Sequence, residues 1–151
     1  MSNLSMAEFV SWGNRLANLA WPMGLEDFTK IALGDFGWDA TEGKQRFIAT
    51  FATCSGQVLV TRMIEGDIRK IYFPLIRIVE GLGAEGRIQL NDYFADYSAA
   101  GMKAWGSASR VEAGEDPLVA WEHPSGGIID LMGGEDVVLF TFYTPRGALY
   151  Y

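Results

Sequence analysis

Residues 46–73 read RFIATFATCSGQVLVTRMIEGDIRKIYF, and this stretch decides the fold. It divides into three short runs, 46–54, 58–64 and 68–73. β-Branched and aromatic residues dominate the runs, while Ser55-Gly56 and Glu65-Gly66-Asp67 supply the turns between them. The expected arrangement is an antiparallel meander. Thr50, Thr61, Arg62, Arg69 and Lys70 interrupt the apolar pattern, so one face of this sheet is wetter than the other and the drier face needs a cover.

Two helices precede the meander and supply that cover. Ser5-Met6-Ala7-Glu8 fits a capping box, with Leu4 and Phe9 spaced as a hydrophobic staple. Phe9, Trp12, Leu16, Leu19 and Ala20 then recur at helical spacing until Pro22 stops the run. A second helix follows Gly24, with Glu26 and Asp27 in its first turn and Leu25, Phe28, Ala32 and Phe36 on one face. Trp38 reads as a core plug between helix and sheet.

After the meander, Pro74 argues against a central strand continuing through it. Leu75, Ile78, Val79 and Leu82 suit either a helix or a strand, and the pattern leaves that choice open. Leu90, Phe94, Tyr97, Gly101 and Trp105 form one stripe of a third helix. Three further strands, 118–122, 128–132 and 137–144, are punctuated by 123–127 and 133–136. The expected class is α+β: one domain, 1–151, with a largely antiparallel sheet of about six strands. Its element order is helix, helix, three strands, helix, three strands, with the helices packed on one face.

A mass of 16.7 kDa implies roughly 7,600 Å² of accessible surface and one self-supporting core. No signal-peptide pattern and no apolar run of spanning length are present, so the expected compartment is the cytoplasm, without membrane association. A single cysteine, Cys54, agrees with that compartment and reads as a buried, inert thiol rather than a nucleophile.

The net charge of −7 is unevenly placed. Residues 1–75 hold eight acidic and seven basic side chains, and residues 76–151 hold eleven and five. Between Val111 and Val137 stand Glu112, Glu115, Asp116, Glu122, Asp130, Glu135 and Asp136, with no Lys or Arg. Such a field repels nucleic acid and attracts basic proteins. These carboxylates, with Trp121 and His123 as anchors beside them, are the expected partner-binding surface; the alternative is an ordinary solubilising surface.

Catalytic patterns are sparse. There is one histidine, and no nucleophile elbow, phosphate loop, dinucleotide fingerprint or Cys-x-x-Cys pair. Glu112, Glu122 and Asp130 are the carboxylates that would serve a paired-acid mechanism. The reading favours a protein that is not an enzyme and uses neither metal nor cofactor.

Two patterns carry a resemblance. One is Leu16-Ala17-Asn18-Leu19-Ala20-Trp21-Pro22 leading to Phe36-Gly37-Trp38; the other is the third helix followed by Gly114-Glu115-Asp116-Pro117-Leu118-Val119-Ala120-Trp121. Together they resemble small actinobacterial immunity-type proteins associated with secreted polymorphic toxins. The resemblance implies a cytoplasmic binding module that occludes the active site of a cognate toxin, with no catalytic or contact residues to carry over. A small secretion chaperone or adaptor for a client polypeptide is the alternative, and would be marked by an exposed apolar groove.

Overall fold

The structure, a computed structural model, describes residues 3–43, 45–51, 55–63, 65–78 and 83–151. The readings of Cys54, Ile64, Val79 and Leu82 fall outside these residues. In chain order the elements are α1 (Met6–Ala17), α2 (Leu25–Gly34), β1 (Asp39–Ala40), β2 (Arg46–Thr50), β3 (Ser55–Arg62) and β4 (Ile68–Arg77). Then come α3 (Gly83–Trp105), β5 (Arg110–Glu112), β6 (Leu118–Glu122), β7 (Ile128–Gly133), β8 (Val137–Tyr143) and α4 (Pro145–Ala148).

All the strands join one antiparallel sheet in the order β1-β2-β3-β4-β8-β7-β6-β5. It consists of two meanders, β1 to β4 and β5 to β8, welded along β4 and β8. α3 carries the chain across to the far edge, where β5 begins the second meander.

The α+β class and the antiparallel sheet agree with the sequence pattern, but among the described residues the sheet has eight strands rather than about six. The additions are its two edges, β1 of two residues and β5 of three, both too short to show a period of two. β4 also runs through Pro74. Its pairing with β3 stops at Tyr72, so that side of the strand lacks β3 where the proline stands, and the register with β8 shifts between Pro74 and Ile76. Leu4 N–H takes up the free edge by donating to Leu75 O at 3.0 Å. The undecided stretch after Pro74 is therefore strand as far as Arg77.

α1, α2 and α3 cover one face. Ser5 caps α1 by accepting from Glu8 N–H at 3.1 Å, and Phe9, Trp12 and Leu16 are buried beneath it. Trp38 is 2% exposed, among Trp12, Phe28, Phe36 and Phe47. Phe73 stacks on Phe140 at 4.7 Å across the weld between the meanders. Each such fully buried ring contributes about 1.5–3 kcal/mol relative to exposure.

The second face is covered at one end only. There the chain turns back after β8, and α4 and the residues after it lie against a small apolar cluster of Leu118, Ala120 and Ile128, with Ala148 and Tyr143 packed on it. The helices therefore do not all share one face. Thr144 makes the turn: its Oγ1 accepts from Gly147 N–H at 3.1 Å and donates to Ile68 O at 2.8 Å. No helix among the described residues is long and apolar enough to cross a membrane.

Candidate functional site

The acidic residues fall into three places. Glu115 and Asp116, in the β5–β6 turn, and Glu135 and Asp136, in the β7–β8 turn, are exposed at one end of the sheet. Gly133 N–H donates to Pro117 O at 2.8 Å and ties the two turns together. Asp136 meets Arg77 at 3.6 Å, whereas Glu115, Asp116 and Glu135 are in no ion pair among the described residues. Glu112 leads into this end from β5, held by Arg110 at 2.7 Å. That carboxylate holds the Arg110 guanidinium above its ordinary value.

Glu122 and His123 lie at the opposite end, where β6 turns into β7. His123 is half-buried. Its Nδ1 accepts from Ser125 N–H at 3.1 Å, so in the neutral ring Nε2 carries the proton and faces Asn14 Oδ1 at 3.3 Å. Asn14 Oδ1 also accepts the Trp105 indole N–H at 2.9 Å. Burial lowers the His123 pKa. The histidine thus clamps the β6–β7 turn to α1.

The remaining two residues are inside, which corrects the expectation of a surface set. Trp121 is 1% exposed, its indole N–H donating to Gly106 O at 3.1 Å and its ring 5.4 Å from that of Trp105. It cannot anchor a partner directly, because its alternation along β6 points it under α3. Gly101 makes room for it: a Cβ there would stand 2.9 Å from the Trp121 Cζ3.

Asp130 is on the other face and is 3% exposed. On either side stand Ala120 and Thr141, its partners across the strands. The Tyr151 hydroxyl donates to Asp130 Oδ2 at 2.8 Å, and the Tyr151 ring meets Tyr143 edge-on at 4.8 Å. The Arg110 guanidinium lies 5.3 Å from the centre of the Tyr151 ring, and Lys70 Nζ lies 5.3 Å from that of Tyr72. Burial raises the Asp130 pKa, with the Tyr151 hydrogen bond and the charges of Arg110 and Lys70 opposing it. The Tyr151 phenol is raised in turn, by burial and by its bond to Asp130.

Sequence reasoning missed Tyr143, Tyr151, Thr141 and Lys70 as members of this cluster. Its only trace in sequence is a carboxylate flanked by Ile128, Ile129 and Leu131. Among the described residues no group of three His, Cys, Asp or Glu side chains gathers to hold a metal ion.

The arrangement defines an α+β protein with one antiparallel sheet, three helices on one face and a chain end folded over part of the other. The profile of a family of unknown function, DUF6301, matches residues 7–144, and the chain belongs to that family. No curated protein matches it in sequence. Among solved structures, a DUF4309 family protein (YjgB) from Bacillus subtilis subsp. subtilis str. 168 is similar, with a TM-score of 0.48 and 13% identity. The match covers 91% of this chain and 97% of that one.

Proposed function

We propose that this protein acts by binding another protein, as an immunity-type inhibitor that occludes the active site of a cognate toxin in the cytoplasm. The observation that carries the reading is the acidic end of the second meander. Glu115, Asp116 and Glu135 project from two tied turns without ion-pair partners among the described residues. A surface of this kind suits the basic active-site cleft of an enzyme that acts on an anionic substrate, because carboxylates imitate phosphates there. Electrostatic attraction of this sort accelerates association and fades with salt.

The chaperone alternative needs one continuous apolar groove for a client. The exposed large apolar side chains are instead spread along the chain: Leu33 on α2, Ile48 on β2, Ile88 and Met102 on α3, Val111 on β5, Met132 on β7, and Leu149, Tyr150 and Tyr151 after α4.

The test is to search the genes beside this one for a protein with a C-terminal toxin domain and to co-express the two. Wild type should protect the host, and a variant carrying Glu115→Gln, Asp116→Asn and Glu135→Gln should protect less. Equal protection by both would reduce the acidic end to a solubility feature. Absence of protection by either would end the immunity reading.

A further inference from the structure

A second surface is built differently from the acidic end. Between α2 and the β1–β2 hairpin lies a cavity of about 590 Å³, and against it, on the open face of β2 and β3, a second of about 750 Å³. Both volumes fall within the range of small-molecule sites. The first exists because β1 pairs with β2 only as far as Phe47 and Ile48, leaving the space beside α2 unfilled. Its apolar lining comes from Leu25, Ala40 and the buried Phe47.

Its charges run against those of the chain. In a protein of net charge −7, the described residues that line this apolar cavity include three cations, Lys30, Arg46 and Arg62, against one carboxylate, Glu26. Arg46 and Arg62 also line the second cavity, which carries Glu42, so these two residues are shared by both. Neither is in an ion pair among the described residues. With its amide oxygen turned toward Arg62, Gln45 accepts from Nε at 2.7 Å and from Nη2 at 3.1 Å, which steadies that side chain.

We propose that this cleft binds a long-chain carboxylate, with the alkyl chain in the cavity under α2 and the headgroup on Arg46 and Arg62. Guanidinium groups take a carboxylate through paired N–H bonds, and an apolar cavity favours a chain that leaves water. A neutral amphiphile forgoes the headgroup contacts, and a cationic one meets three positive side chains. This site stands apart from the acidic end and does not rest on the protein-binding reading.

The experiment is calorimetric titration of the whole chain with dodecanoate, dodecanol and dodecyltrimethylammonium, each below its micellar concentration. Dodecanoate should bind one molecule per chain and dodecanol about tenfold more weakly, with no binding of the ammonium. The double variant Arg46→Ala/Arg62→Ala, altered only at exposed side chains, should bring dodecanoate down to the level of dodecanol. Thr29→Trp, which fills the cavity, should remove both; the circular dichroism spectrum of each variant checks folding. The proposal is overturned by equal binding of all three amphiphiles, by no dodecanoate binding, or by unchanged dodecanoate affinity in the folded double variant.

Discussion

The Tyr151 hydroxyl donates a 2.8 Å hydrogen bond to the Asp130 carboxylate, closing the segment after α4 over the one acidic side chain that is buried among the described residues. The bond supplies a partner to a charge that has lost most of its water. It does not cancel the loss, because burial outweighs it and the carboxyl is held above its ordinary value.

That shift gives a pH prediction. With its native pKa raised, Asp130 binds its proton more tightly in the folded chain than in the unfolded one. Its contribution to stability is largest below the ordinary carboxylate value and is lost as pH rises through the native value. Asp130→Asn keeps an oxygen for Tyr151 and removes the titration. Melting temperatures from about pH 4 to about pH 7 should show the variant gaining on wild type as pH rises. Parallel curves would mean that Asp130 does not titrate in this interval.

His123 has the opposite sign. Its lowered pKa means that the unfolded chain protonates first as the pH falls, so the clamp to Asn14 is worth most above about pH 6.5 and weakens below it. An NMR titration should place His123 below an unstructured histidine. A His123→Gln chain should lose less stability than wild type between about pH 7 and about pH 5.

Gly101 is set by the Trp121 ring. Gly101→Ala forces a methyl into the indole and should cost roughly 1–3 kcal/mol, measured by denaturant unfolding. Adding Trp121→Leu should recover part of that loss, because the obstructing ring is gone. A double variant no better than the sum of the two single changes would show that the close approach is not the cause.

Thr144 holds the turn that folds the chain end back. Thr144→Ala removes both the cap on α4 and the donor to Ile68 O, at a cost of about 1–2 kcal/mol. Hydrogen exchange at residues 145–151 should rise more than exchange in α1. Uniform change across the chain would place the effect on global stability instead.

Much of this architecture is readable in the residues. The run Leu118–Glu122 is a strand over those same residues, Ser5 caps α1, and Gly24 precedes α2. Local chemistry fixes these features, so they show in sequence. The positions of Trp121 and Asp130 depend instead on what covers each face of β6 and β7. α3 covers one face from 83–105 and the folded-back end covers the other from 145–151, and neither contact leaves a period in the strands themselves. A carboxylate among aliphatic neighbours reads as a surface position until the segment above it is known. The shared cationic lining was hidden for a related reason, since Arg46 of β2 and Arg62 of β3 border the same cavities only once the two strands pair.

The place of β8 also bears on how the chain is made. The first meander is complete once Arg77 has left the ribosome, yet one long side of β4 then has no neighbour, because its partner β8 is synthesised only after α3 and β5 to β7. For the whole time taken to translate α3 and the second meander, that apolar edge is open to other chains. Arrival of 137–143 seals it in one step, so a ribosome stalled before Val137 would display an adhesive edge that the finished protein never shows.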